Sequence, residues 1–296
     1  MNLTDIRFPH LGILLKTVGS GISIGGFEIK YYGIIIASGF LLGLLAAMRE
    51  AKRTGQNPDL YMDYLICMIL PAIAGARLYY VIFSWDYYKN NLISIFMTRQ
   101  GGLAIFGGVI AGVIVLILFS RWKKQPFFQM TDTIVMSLLI GQIMGRWGNF
   151  FNREAFGGFT DNLFAMQIPV GYFEQMGRLS EIEATGLLNK AVDVTLNGTT
   201  ISCIQVHPTF LYESLWNLAL LLLIFLYRKH KKFDGELFAI YLMGYGVGRF
   251  WIEGLRVDQL TIGSTGLAVS QILAAALAVG AVLTIIIVRT RLGKNK

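Results

Sequence analysis

The run Leu103–Lys124, LAIFGGVIAGVIVLILFSRWKK, has no charged residue across its first 18 positions and then three basic residues within four. An apolar stretch of about 20 residues is what a helix needs to cross the hydrocarbon of a bilayer. A basic cluster directly after it holds that end on the cytoplasmic side. The same grammar recurs along the chain, in apolar segments at about 31–48, 62–83, 103–120, 131–150, 209–227, 236–254 and 267–288. The second is interrupted by Pro71 and Arg77 and the sixth contains Arg249 and Glu253, which makes these two the weakest. Basic residues follow the first span (Arg49, Lys52, Arg53), the third (Arg121, Lys123, Lys124), the fifth (Arg228, Lys229, Lys231, Lys232) and the seventh (Arg289, Arg291, Lys294, Lys296), so that 14 of the 26 fall on one side. The expectation is an all-α polytopic membrane protein with seven transmembrane helices, its N-terminus outside and its C-terminus cytoplasmic.

Composition agrees. Of 296 residues, 54% are hydrophobic and 15% charged, against roughly a quarter charged in soluble domains, and the mean hydropathy is +0.56. The net charge of +8 is spread over short clusters between spans rather than gathered on one face, so nucleic acid is not the expected partner. Cys67 lies inside an apolar run and Cys203 in the long polar segment, which gives no disulfide or metal framework. Cys67 reads as a small buried apolar residue, and nothing beside Cys203 suggests a lowered pKa.

Residues 1–29 lack the basic start and cleavable apolar core of a signal peptide. They read as an N-terminal arm, either laid along the outer interface through Phe8, Leu11, Ile13, Leu14 and Leu15 or a plain disordered tail. Residues 30–288 form the transmembrane domain, and 289–296 a basic cytoplasmic tail. Within the transmembrane domain, residues 151–208 are too long for a structureless loop and read as a small extracytoplasmic head domain, with β-prone stretches at 164–168 and 200–204. There is no internal repeat.

Ionisable groups inside spans are costly and by default mark function. Arg249 and Glu253 stand four apart, on one helical face, either as a self-neutralising pair or as part of a site. Arg77 either snorkels to the interface or meets a ligand. The stretch Gly145–Gly158, GRWGNFFNREAFGG, puts Arg146, Asn149, Asn152 and Glu154 among four glycines where the fourth span meets the outer surface. It is either a charged helix end or a seat for a lipid headgroup, since arginine offers a planar fork suited to phosphate. The glycine pairs ahead of and within the third span, the latter Gly107 and Gly108, suggest a broken helix start lining a cavity or close packing. His207 is either a base near neutral pH or a cap beside Pro208 at the first turn of the fifth span. His10 and His230 read as tail and loop residues. No cluster has metal-ligand spacing, and no cofactor is expected.

From Gly145 to Gly157 the chain resembles the signature of the prolipoprotein diacylglyceryl transferase family, Gly-Arg-x-Gly-Asn-Phe-x-Asn-x-Glu-x-x-Gly. Supporting matches span most of the chain: Tyr31-Tyr32-Gly33, Gly75-Ala76-Arg77, the double-glycine segment, His207-Pro208-x-x-x-Tyr212-Glu213 and Gly244-Tyr245-Gly246-x-x-Arg249-x-x-x-Glu253. The resemblance implies seven spans in a bacterial plasma membrane. It also implies transfer of a diacylglyceryl group from phosphatidylglycerol to the thiol of the lipobox cysteine of a prolipoprotein, with a thioether formed and glycerol phosphate released. Carried over residue by residue, it points to Tyr32, Arg146, Asn149, Glu154, Gly157, Arg249 and Glu253. One departure matters: Phe106 stands where many members carry histidine, so a histidine there is not the proton acceptor in this chain.

These residues support a mechanism in which Arg146 and Arg249 clamp the phosphate by charge-assisted bonds and stabilise the charge that develops on the leaving group. Asn149 and Tyr32 orient the headgroup, with Arg77, Asn152, Gly157, Gly107 and Gly108 as further candidates for substrate contact. Glu253, Glu154, His207 and a phosphate oxygen all remain candidate proton acceptors. The rival from another class is a membrane transporter of an anionic small molecule, which predicts two related halves; a lipid-binding structural protein is the third reading.

Overall fold

The computed structural model describes residues 1–98, 101–196, 198–257, 259 and 266–294, apart from the side chain of residue 27. Lys296, counted above in the last basic cluster, lies outside them. Ten α-helices are described: α1 (Tyr31–Arg53), α2 (Asp59–Phe83), α3 (Trp85–Tyr88), α4 (Ile105–Trp122), α5 (Phe127–Asn152), α6 (Val170–Gln175), α7 (Leu179–Ala184), α8 (Thr209–Tyr227), α9 (Glu236–Glu253) and α10 (Val269–Lys294). Seven strands accompany them: β1 (Ile6–Phe8), β2 (Ile13–Leu15), β3 (Gly21–Ile24), β4 (Phe27–Lys30), β5 (Met166–Pro169), β6 (Val192–Leu196) and β7 (Thr199–Val206).

Among the described residues, six helices are long and apolar enough to cross a membrane: α1, α2, α4, α5, α8 and α10. The sequence expectation of seven spans is met by six on this criterion. The sixth expected segment does form a helix, α9, but Glu236, Arg249 and Glu253 occupy three of its 18 positions. Pro71 does not break the second span, because α2 runs helical through it. The all-α expectation is corrected by the seven strands.

The chain divides into two compact units. The first comprises residues 1–41 and 138–296. In it, five strands form a sheet in the order β2-β1-β5-β7-β6, antiparallel throughout, with Arg7 opposite Gln167 and Ile168 opposite Ile204. The first strands therefore belong to the same sheet as residues 166–206. They form neither a loose arm nor a tail, because burying Ile6 and Phe8 against Phe150, Ile168 and Val206 outweighs leaving them at an interface. β3 and β4 make a separate hairpin, closed by Gly25 and Gly26 with φ of +58° and +84°, the paired positive angles of a two-residue turn that side chains resist.

Arg153 follows α5 with φ +49° and is 1% exposed. Its Nη2 donates to the carbonyls of Thr4 and Val18 at 2.7 and 2.6 Å, and its guanidinium lies 3.9 Å from the centre of the Tyr172 ring. Burial pulls its pKa below the ordinary arginine value. In the same unit, α8, α9 and α10 pack where glycines remove side chains: the indole of Trp216 donates to the Gly244 carbonyl at 2.8 Å, and a Cβ on Gly246 would fall 2.5 Å from the Ala274 carbonyl oxygen.

The second unit, residues 42–137, packs α2 on α4. A Cβ on Gly75 would fall 2.7 Å from the Gly107 carbonyl oxygen, so the two backbones touch. The glycine pair at 107–108 opens an unbroken helix from Ile105, in accord with close packing. Cys67 is exposed on the outside of α2, not buried as expected: in a membrane helix the outward face is also apolar, so composition alone does not say which way a cysteine points. Cys203 is buried in β7, and burial pushes its thiol up to about 11.

Candidate functional site

In the first unit, three helices and the residues just after α5 bring five ionisable side chains into one connected chain. The Glu213 carboxylate, on the second turn of α8, sits between two arginines: Arg146 Nη2 from α5 at 2.9 Å and Arg249 Nη1 from α9 at 3.3 Å. Its side chain is 4% exposed, against 21% and 15% for the arginines. Arg249 Nη2 then meets Glu253 Oε2 at 2.5 Å, the i,i+4 pairing that the helical repeat dictates. Ser270 Oγ donates to the other Glu253 oxygen at 2.7 Å. On the far side, Arg146 Nη1 donates to Asn149 Oδ1 at 3.1 Å, and Asn149 and Asn152 each donate an amide to Glu154 Oε1, at 2.8 and 3.2 Å.

Hydrogen bonds take up one of the five N–H groups that a guanidinium carries on each arginine, Arg146 to Asn149 and Arg249 to Glu213, while the approaches to Glu213 Oε1 and Glu253 Oε2 are charge contacts. Two half-buried cations that meet one shared carboxylate are each restrained by that charge and by one hydrogen bond, which limits how far either fork can turn. Tyr32, at the start of α1, lies over Gly148: a Cβ there would stand 2.6 Å from the Tyr32 ring. Glycine at this signature position thus lets an aromatic residue reach the arginine end of α5.

Glu154 has a second neighbourhood. It lines a cleft of about 470 Å3 together with Lys30, Asn152, Arg178 and Glu181. Arg178 is tied there to Glu181 at 2.9 Å and to the Asn152 carbonyl at 3.0 Å.

Other expected site residues fall elsewhere. His207 is bound through its backbone, its N–H donating to Gly158 and its carbonyl accepting from Gly157, while its ring faces Asn162 and Tyr212 at 3.4 Å. Burial lowers its pKa, so it is neutral at pH 7, and no hydrogen bond joins its ring to the arginine chain among the described residues. Gly157 is required by close approach, since a Cβ would lie 2.7 Å from the Leu255 carbonyl and 2.8 Å from the His207 side chain. Arg77, Gly107 and Gly108 belong to the second unit. There Arg77 donates to four backbone carbonyls, of Ser94, Ile95, Gly101 and Gly102, at 2.6 to 2.8 Å, which makes it the anchor of the segment between α2 and α4. Phe106 packs beside Tyr79, ring centres 6.3 Å apart.

Glu213 is the residue that sequence reasoning missed. It was quoted inside a motif and given no role, yet a carboxylate on the second turn of an apolar span is itself the signal. Among the described residues no group of three or more His, Cys, Asp or Glu is placed to hold a metal.

The family model described as "Prolipoprotein diacylglyceryl transferase" matches residues 20–287. The chain is 40% identical over 275 residues to the phosphatidylglycerol--prolipoprotein diacylglyceryl transferase of Bacillus mycoides (strain KBAB4), covering 92% of both proteins. It is 41% identical to the protein of the same name from Bacillus cereus (strain Q1) and 40% to that of Bacillus anthracis (strain CDC 684 / NRRL 3495), again over 92% of each. With a family match over nearly its whole length and the signature arginine locked to a second arginine through one carboxylate, the chain belongs to the prolipoprotein diacylglyceryl transferase family.

Proposed function

We infer that this protein transfers the diacylglyceryl group of phosphatidylglycerol to the lipobox cysteine of prolipoproteins, in a bacterial plasma membrane with its N-terminus outside. The sheet-bearing residues 151–208 then form an extracytoplasmic head, and α9 is the seventh span, its charges turned toward α8, α10 and Arg146 rather than lipid. The observation that carries this reading is the placement of Arg146 and Arg249 on the one buried carboxylate of Glu213, a preorganised pair of forks matched to a single phosphate.

The chemistry follows from that placement. The cysteine thiolate attacks the glycerol carbon that bears the phosphate oxygen. The C–S bond forms as the C–O bond breaks, and the electron pair leaves on the phosphate, released as glycerol phosphate. Two guanidinium groups in a poorly hydrated site stabilise the extra charge on that phosphate and favour thiolate over thiol at the attacking sulfur. Asn149 and Asn152 orient the polar headgroup, and Tyr32 closes the site beside Gly148.

Glu154 takes the thiol proton. Glu213 and Glu253 are each held by guanidinium groups, whereas Glu154 accepts from two neutral amides and opens on a polar cleft. His207 serves the fold, and Arg77 acts through the segment it anchors.

The test is purified protein with phosphatidylglycerol and a lipobox peptide, reading the peptide's mass and the glycerol phosphate released. One equivalent of each per turnover is expected, and uptake without product would overturn the reading. Glu154→Gln should lose turnover at pH 7 and regain much of it at pH 9, where the thiol ionises unaided. An equal deficit at both values would remove Glu154 as the base.

A further inference from the structure

A second cleft lies in the other unit, where α4 turns into α5. It measures about 510 Å3 and is lined by Ile117, Ser120, Arg121, Lys124, Gln125 and Phe127. Its lining therefore holds two cations and no carboxylate, together with an aliphatic and an aromatic side chain, a hydroxyl and an amide. The polar cleft beside Glu154 differs, since Lys30 and Arg178 are balanced there by Glu154 and Glu181.

The third basic residue of this turn is used otherwise. Lys123 pairs with Asp63 at 2.9 Å and lies 4.7 Å from the centre of the Trp122 ring. Arg121 and Lys124, both exposed, line the cleft instead. Trp122, next in sequence to Arg121, has an exposed ring, and tryptophan is a side chain that sits at headgroup depth in membrane proteins. The cleft opens at the end of α4, one of the helices apolar enough to cross a bilayer, so what it meets is the headgroup layer of the leaflet at that end.

We propose that this cleft is a binding site for an anionic phospholipid, separate from the Arg146–Arg249 site. The phosphodiester lies against Arg121 and Lys124, and the upper part of one acyl chain runs along Ile117 and Phe127. Basic pockets of this kind between membrane helices hold acidic headgroups, and Arg supplies the fork that a phosphate oxygen pair accepts.

The test compares wild-type protein with the Arg121→Gln/Lys124→Gln variant in mild detergent. Each is titrated with phosphatidylglycerol, cardiolipin or phosphatidylcholine and read by native mass spectrometry. Wild type should hold one more anionic lipid than the variant, whose affinity at this site falls about 25-fold, a factor of about five for each basic side chain. Phosphatidylcholine should bind both proteins alike. Arg121→Lys/Lys124→Arg, which keeps both charges, should retain the extra lipid. Transfer to a lipobox peptide at saturating donor should be the same in all three proteins, which shows that the variants are folded. Equal anionic-lipid occupancy in wild type and the Gln variant overturns the proposal. Displacement of the extra lipid by millimolar inorganic phosphate overturns it too, since that would mark a site for free phosphate rather than for a lipid.

Discussion

Replacing Glu213 with glutamine keeps the shape of the side chain and removes the charge that two arginines share. A pair of unit charges about 4 Å apart is worth about 4 kcal/mol at an effective dielectric of 20, and breaking a buried pair costs about 3 to 5 kcal/mol. The lower end applies, because Arg249 keeps Glu253 at 2.5 Å and Arg146 keeps Asn149 at 3.1 Å. If that interaction serves to aim both forks at the phosphate, its loss appears in transition-state binding, and about 3 kcal/mol is a fall of about 100-fold in kcat/KM. The assay is peptide lipidation with phosphatidylglycerol varied at saturating peptide. The fall should sit in kcat, because glutamine leaves the site more positive and does not weaken attraction of the anionic donor. A kcat/KM within threefold of wild type would refute the positioning role. Tighter donor binding with unchanged kcat would show that net positive charge alone suffices.

Arg146→Lys keeps the charge and loses the fork, and should lower kcat/KM about 100-fold in the same assay, with near-normal turnover removing the clamp. Gly148→Ala pushes a methyl to within 2.6 Å of the Tyr32 ring and should cost about 1 to 3 kcal/mol, read as a lower Tm together with reduced turnover. His207 has a folded pKa below its unfolded value, so its contribution is present above about pH 6.5 and is lost as pH falls through the folded pKa. The Tm difference between wild type and His207→Asn should therefore shrink on going from pH 7.5 to 5.5, while lipidation at pH 7.5 stays within about threefold if the ring serves only the fold. Arg77→Gln leaves backbone carbonyls between Ser94 and Gly102 without their donor and should lower stability by at least about 3 kcal/mol, at about 1.5 kcal/mol or more for each charged hydrogen bond, read as a Tm shift. Arg77→Lys, restoring charge but not the fork, should recover only part.

Much of the membrane architecture was legible because the bilayer imposes a length and the loops carry charge: the runs at 31–48, 103–120 and 209–227 each match a helix whose bounds differ from them by at most five residues. The sheet was not, since its first strand is three residues long and pairs with a partner 160 positions away, too short for a period-two pattern to register. α9 was legible as a helix yet falls short of a span by apolarity alone, and the same charges that weaken it build the site. The signature Arg146–Asn149–Glu154 is connected as its spacing suggested, because positions three and five apart at a helix end bring those side chains together. Glu213 carried a signal of its own as a carboxylate inside an apolar span, but its pairing with both arginines depends on how α8 meets α5 and α9 and is not legible from spacing. His207 and Gly157 sat in recognisable motifs, but motif membership does not separate a contact with substrate from a backbone fit.

The buried guanidinium of Arg153 has a consequence for biosynthesis. It holds the carbonyl of Thr4, 149 positions earlier in the chain, and β1 waits equally long for β5. At a synthesis rate of about 5 to 20 residues per second, the leading segment waits about 7 to 30 s before its partners are made. Until then Ile6 and Phe8 are exposed and sticky, and afterwards a fusion or trimming that draws Thr4 and Val18 away would strand a cation in an apolar interior. Purification tags therefore belong at the C-terminal end of this chain, and quality-control proteases have a window in which to remove copies whose opening strand never closes.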